Sequence, residues 1–465
     1  MSLDLAPVLA HLDADRPAAL ERLKDFLRIP SISTDPARKG DVRAAAQWTV
    51  EDLRSMGFNA ALHDTQGHPM VVAHADGPAP DSPRVLFYGH YDVQPADPLE
   101  LWESPPFEPQ LLKGPLGERI VARGAVDDKG QVMTFLEACR AWHKVHGVLP
   151  CAVTVFLEGE EESGSPSFLP FLQSNGESLK ADVCVVSDTG MWDVETPAIT
   201  TRLRGLVYLD VTIHGPSRDL HSGMYGGAVP NPCDVIAGII GQMHDAERRV
   251  TIPGFYDGLE MPTASTLASW KSLPDTEAEF LGDIGLREGF GERGFSLLER
   301  VWARPTLEVN GFSGGYTGPG AKTVIGAHAN AKISCRLVAG QDPAAIEAAV
   351  KAFILSRLPA GCRMECHCHG ANPAIQVREA SQFLEAAERG LARVFGRPAF
   401  RIGTGGSIPA VGMISSVLGM DTLLVGFGLD DDRVHSPNEK FEVTCFANGS
   451  RSHASILAEI GSLRA

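Results

Sequence analysis

Val85-Leu86-Phe87-Tyr88-Gly89-His90-Tyr91-Asp92-Val93 is a short apolar run that ends in a histidine and a carboxylate two positions apart. Four apolar residues followed by Gly89 fit a strand covered on both faces, as in a parallel sheet flanked by helices. Such sheets bind ligands beyond the carboxyl ends of their strands. A histidine at that place can serve as a neutral metal ligand, and a nearby acid can take its second ring proton and fix its orientation. Taken alone, His90 and Asp92 read more readily as an ordinary polar strand end.

Three later stretches repeat the pattern. Arg123-Gly124-Ala125-Val126-Asp127-Asp128-Lys129-Gly130 places two acids before a strong helix pattern through Met133, Leu136 and Trp142. Two acids there also complement a helix dipole. Val153-Thr154-Val155-Phe156-Leu157-Glu158-Gly159-Glu160-Glu161-Glu162-Ser163-Gly164-Ser165 runs an alternating strand into acids, and Val183-Cys184-Val185-Val186-Ser187-Asp188 ends another short strand in an acid. Carboxylates clustered at the mouth of buried strands repel one another unless a cation holds them. The four stretches predict His90, Asp127, Glu162 and Asp188 along one edge of one sheet.

At 465 residues the chain exceeds the size at which one core keeps growing, so two or three domains are expected. Hydrophobic residues at 44% and charged residues at 21% are ordinary for a globular protein. The net charge of -17 disfavours nucleic acid or an anionic membrane surface as a partner. The N-terminus does not read as a signal peptide, and the most apolar long stretch, 413–429, is broken by Asp421 and several glycines, so no membrane span is expected. Nine scattered cysteines suit reduced thiols in a cytoplasm better than a disulfide framework.

Helices are expected over about 7–29 and 43–56, strands near 60–63 and 70–73, and a long loop between Pro95 and Gly117. After Arg204 the texture changes to alternating strands, with helix patterns near 230–246 and 276–300, which reads as a separate α+β domain. The glycine-rich run 311–320 reads as a loop and not a phosphate cradle, since no strand leads into it and no helix follows at once. Met364-Glu365-Cys366-His367-Cys368-His369 invites a zinc reading, but it alternates with the period of a strand, sending the cysteines one way and the histidines the other. Longer helices return from about 373. A last apolar strand, 422–428, leads to Asp430-Asp431-Asp432-Arg433-Val434-His435-Ser436-Pro437-Asn438-Glu439.

The ordered set of Gly89-His90-Tyr91-Asp92-Val93-Gln94-Pro95, Asp127-Asp128-Lys129-Gly130, Glu161-Glu162-Ser163-Gly164-Ser165, Ser187-Asp188 and His435-Ser436-Pro437-Asn438-Glu439 resembles the M20 family of co-catalytic metallopeptidases, most closely its carnosinase-type dipeptidase branch. The resemblance implies an α/β fold: a zinc-peptidase-like catalytic domain, with a mostly parallel mixed sheet flanked by helices, in residues 1–204 and 373–465. Residues 205–372 would form an inserted α+β lid and dimerisation domain. It implies that His90 and Asp188 bind one metal, that Glu162 and His435 bind the other, and that Asp127 bridges both, leaving an open position on each ion for a shared water. The two ions would lie about 3.5–4 Å apart. A cis peptide is implied between Asp127 and Asp128.

By the same resemblance Asp92 orients His90, Glu161 is the general base and His221 stabilises the oxyanion, often across a dimer. Thr323, Asn330, Arg336 and Ser407 bind substrate, and a guanidinium fork suits a free carboxylate. The function implied is metal-dependent hydrolysis of dipeptides or short peptides with release of a C-terminal amino acid. Two divalent ions are required, zinc first and manganese or cobalt as alternatives. The protein is expected to be a cytoplasmic homodimer, paired through the inserted domain. An N-acyl-amino-acid deacylase on the same scaffold and a non-catalytic peptide-binding protein are the rival readings.

Overall fold

The computed structural model describes residues 3–273, 277–378, 380–406 and 408–463. The strands of the first half are β1 (Asn59–His63), β2 (Met70–Ala75), β3 (Arg84–His90), β4 (Gln110–Gly114), β5 (Gly117–Val121), β6 (Ala152–Glu158) and β7 (Val183–Val186). A mixed sheet runs β1-β2-β6-β3-β7 and continues through Asp421–Leu424 and Ala198–Leu203. β6, β3, β7 and Asp421–Leu424 are mutually parallel, whereas β1 and β2 pair antiparallel at one edge.

The stretch 85–90 shows why this sheet is covered on both faces. Neighbouring strand residues point to opposite sides. Phe87 stacks on Phe135 of helix Lys129–His146 with ring centroids 3.9 Å apart, while Tyr88 meets Phe168 of helix Phe168–Leu179 edge-on at 5.4 Å. All seven residues of β6 and all four of β7 are buried. Each fully buried aromatic or branched side chain contributes about 1.5–3 kcal/mol relative to exposure, so this register is strongly fixed.

The chain divides into two compact units. The first comprises Met1–Thr201, Val377–Arg401 and Met413–Ala465, and the second Arg202–Gln376 with Ile402–Gly412. The segment 402–412 thus clusters with the second unit, whereas the sequence reading assigns it to the first. In the first unit helices Ala6–Leu27, Lys129–His146, Gln382–Phe395 and Val443–Gly461 pack together. The second unit is built on a four-stranded antiparallel sheet in the order Thr306–Gly314, His328–Leu337, Gly205–His214, Arg363–Asn372. Burial alternates strictly along Gly205–His214, because helices Pro232–Ile240 and Pro343–Leu355 cover one face only.

Several local expectations change. The helix pattern over 276–300 resolves into short helices, Glu277–Asp283 and Leu297–Trp302, and Gly285, Gly291 and Gly294 between them take left-handed backbone. The glycine-rich run begins inside a strand, since Thr306–Gly314 pairs with His328–Leu337 through a bulge near Gly311. The Pro95–Gly117 loop contains β4, which pairs with β5, and β5 pairs in turn with Lys440–Glu442 to complete a separate three-stranded sheet. In Arg363–Asn372 the alternation holds, with Cys366 and Cys368 half-buried and His367 and His369 exposed.

Candidate metal centre

β3, β6 and β7 run parallel, so their carboxyl ends open on one side. His90 is the last residue of β3, Glu161 and Glu162 follow β6 in the turn Glu161–Ser163, and Asp188 stands two residues beyond β7. Asp127 reaches the same place by another route. It lies in the turn between β5 and helix Lys129–His146, and its peptide bond to Asp128 is cis. His435 comes from the loop after strand Asp421–Leu424, with left-handed backbone at φ 59.

These side chains form two groups that share one member. Ligand atoms of His90, Asp127 and Asp188 lie within 4.8 Å of one another, as do those of Asp127, Glu162 and His435. His90 Nε2 is 3.1 Å from Asp127 Oδ1, and His435 Nε2 is 2.9 Å from Asp127 Oδ2 and 3.3 Å from Glu162 Oε2. His90 Nε2 is buried and makes no hydrogen bond among the described residues. Its Nδ1 is committed, 3.1 Å from the Asp92 carbonyl and 3.4 Å from Asp92 Oδ1. A buried imidazole nitrogen left open among carboxylates, with its other nitrogen already held, fits a divalent cation. Two imidazoles and three carboxylates make a nitrogen and oxygen donor set suited to zinc-like ions.

The electrostatics carry the same strain. Burial and the neighbouring acids push Asp188 and Asp128 well above the usual carboxylate range. Burial likewise pushes Glu161 up to about 7, with Glu162, Asp127 and Asp92 adding repulsion against the pull of His90. Asp127 is the exception: burial opposes its ionisation, but His435 and His90 hold it well below its ordinary value. Such a concentration of like charge in a buried place is what a cation relieves.

The surrounding contacts fix the ligands. Asp92 Oδ2 accepts the Glu162 N–H at 3.1 Å, Gln94 donates to Glu162 Oε2 at 2.7 Å, and Asp128 Oδ2 accepts the His90 N–H at 3.1 Å. Gly89 is required here, because a Cβ would come within 2.7 Å of that Asp128 oxygen. The three consecutive acids after β6 separate cleanly. Glu160 is buried and holds the His68 and Ser167 N–H groups at 2.6 and 2.8 Å, leaving Glu161 and Glu162 at the site.

Residues 86–459 match the Peptidase family M20/M25/M40. The chain belongs to this family. Its members are hydrolases, and the chain is 30% identical to the Cys-Gly metallodipeptidase DUG1 of Candida albicans, over 97% of this chain and 96% of that one. It is 27% identical to the human Beta-Ala-His dipeptidase over 99% of this chain and 93% of that one. Among solved structures, the M20 family metallo-carboxypeptidase Sso-CP2 from Sulfolobus solfataricus superposes with a TM-score of 0.83 at 30% identity, covering 96% of this chain and 99% of that chain. Human carnosine dipeptidase 1 superposes at 0.81 and 26% identity, with full coverage of both chains.

The remaining predicted residues of this M20 chain fall in the second unit, apart from Ser407, which lies outside the described residues. His221 ends the short strand Leu220–His221, is exposed, and accepts the Gly223 N–H at 3.0 Å. That strand pairs with Val324–Ile325, and the Ser222 N–H donates to the Thr323 carbonyl at 3.0 Å, so His221 and Thr323 are neighbours. Asn330 and Arg336 share strand His328–Leu337. The Asn330 amide nitrogen is taken by Asp210 and by Thr212 at 3.0 Å. Arg336 is half-buried, and desolvation lowers its pKa.

Two groups were missed by sequence reasoning. Glu158, at the end of β6, is wholly buried; it accepts the Tyr88 hydroxyl at 2.6 Å, and burial pushes it up to about 8. Glu439 is also wholly buried and accepts hydrogen bonds from the turn that carries Asp127. No periodicity distinguishes either from a solvated acid, because their partners lie far away in sequence.

Proposed function

We propose that this M20 peptidase hydrolyses dipeptides or short peptides and releases the C-terminal amino acid. The observation that carries the reading is the sharing of Asp127 by two ligand groups, with Glu161 beside both. The names of the relatives, dipeptidases and a carboxypeptidase, point to the same substrate class. When bound, a pair of divalent ions lowers the pKa of water towards about 7 and polarises the scissile carbonyl. His90 and Asp188 would hold one, Glu162 and His435 the other, and Asp127 both, with zinc favoured by the donor set and manganese or cobalt as alternatives.

The chain's own residues supply the rest. Asp92 holds the His90 ring so that Nε2 faces the ligand group. Glu161 accepts the proton of the attacking water and returns it to the leaving amine; its buried setting places its pKa near that task. Roles for His221 at the oxyanion and for Thr323, Asn330, Arg336 and Ser407 at the substrate rest on the resemblance, and the planar guanidinium fork of Arg336 suits a terminal carboxylate. We assign the protein to a homodimer formed through the second unit, on the grounds that His221 is exposed. All nine cysteines are free, which favours a reducing cytoplasm, and among the described residues no helix is long and apolar enough to cross a membrane.

The test is turnover of a mixed dipeptide panel alongside N-acetylated amino acids, using protein stripped of metal and reloaded with zinc or manganese. Metal-restored dipeptide cleavage is the expected result. Cleavage of the acyl compounds alone would move the assignment to a deacylase, and tight peptide binding without turnover would make the protein a binder.

A further inference from the structure

We infer that Glu439 is a positioning residue that keeps Asp127 and His435 in register, so that both ion sites depend on it. This rests on the two-ion reading above. The Glu439 carboxylate is wholly buried and its two oxygens divide four donors between them. Oε1 accepts the N–H groups of Val126 at 2.9 Å and Asp127 at 3.1 Å, and Oε2 accepts the Gly124 N–H at 3.0 Å and Arg123 Nη1 at 2.7 Å. Its carbonyl also accepts the Ala122 N–H at 3.1 Å. Successive N–H groups converging on one anion form a backbone nest, and Gly124, at φ 84, supplies the left-handed residue that bends it.

The same residue ends the loop that carries His435, four positions earlier. His435 is held by its contacts to Asp127 and Glu162 and not by packing, since its side chain is 53% exposed. The loop is anchored on either side of Glu439. Asn438 accepts the Glu103 N–H at 2.7 Å and donates to the Leu101 carbonyl at 2.9 Å, and Lys440 pairs with Val121 in the small sheet. Glu439 therefore joins the loop that presents His435 to the turn that presents Asp127, and Asp127 belongs to both ligand groups.

The experiment is calorimetric titration of zinc into the metal-stripped full chain. Glutamine keeps the shape of the side chain but turns an NH2 towards two of the four donors, so Glu439→Gln should weaken both ions by about 10–100-fold, the usual effect of losing a partner outside the ligand set. Wild-type affinity for both, or a loss confined to one ion, would overturn the inference. The double variant Arg123→Met with Glu439→Gln separates positioning from charge balance: it should remain weak at both sites, and recovery of wild-type affinity would show that Glu439 only neutralises Arg123. Should Glu439→Gln fail to fold, Glu439→Asp keeps the charge but withdraws the carboxylate by one methylene; it should show the same two-site loss, and wild-type affinity there would equally overturn the inference. A wild-type chain that takes up fewer than two ions would sink the underlying reading, and the inference with it.

Discussion

His90 and His435 offer the same nitrogen to the same aspartate, yet they are built in opposite ways. His90 closes a buried strand, is fully buried, and has its ring and its backbone N–H held by Asp92 and Asp128. His435 stands on a loop, half-exposed, in left-handed backbone. The difference teaches that one half of the site is fixed by the sheet, and the other by a few polar tethers. Burial works against a charged His90, but Asp127 and Asp92 still raise its pKa, whereas Asp127 and Glu162 hold His435 up at about 10.

Among changes that leave the metal ligands in place, the largest expected effect is at Glu161, beside His90 and Glu162. Glu161→Gln should retain metal and lose about 10²–10⁴-fold in kcat, the usual contribution of a positioned acid and base. Steady-state kinetics with a metal count on the same sample checks this, and near-normal kcat would remove Glu161 from the proton path.

Next comes the contrast itself. His90→Ala and His435→Ala should both abolish turnover, but only the first should unfold more easily. Removing His90 strands buried carboxylates and should cost the stripped protein about 3 kcal/mol; removing the exposed His435 should cost less than about 1 kcal/mol. Urea unfolding of the stripped proteins reads the difference, and equal losses would show that the loop is as integral to the fold as the strand.

A third histidine sharpens the comparison with the smallest effect. His453 is buried among Phe87, Phe135 and Phe427, with Nε2 at 2.8 Å from Ser187 Oγ and Nδ1 without a partner among the described residues. No carboxylate offsets its burial, which lowers it to about 3. Its folded pKa is below the unfolded value of about 6.5, so as pH falls the unfolded chain takes up the proton first. Its share of stability is intact above about pH 6.5 and is lost towards about pH 3, at about 1.4 kcal/mol per pH unit. His453→Gln should remove that slope, measured as urea midpoints at about pH 7 and about pH 5; an unchanged slope would mean that His453 is not held neutral.

The strand-borne half of the site was legible because short apolar runs ended in ligand-type residues at His90, Glu162 and Asp188, and parallel strands must bring such ends together. Asp127 stands in the turn before helix Lys129–His146, where the helix pattern puts it, and reaches the sheet edge without ending a strand; an apolar residue before two acids does not distinguish a strand end from such a turn. The tethers were not legible. Glu439 acts through backbone N–H groups more than 300 positions earlier, and the distinct jobs of Glu158, Glu160, Glu161 and Glu162 depend on which way each side chain turns after the strand. Helix periodicity over 276–300 misled because it weighs apolar spacing and overlooks the glycines that break it.

Metal counting by mass spectrometry on wild type and Asp127→Ala tests the central claim most directly. Two ions per wild-type chain, and loss of both in the variant, are the predicted result. Two ions kept at full occupancy without the Asp127 carboxylate would contradict a shared ligand, and with it the account of how the two halves of the site are joined.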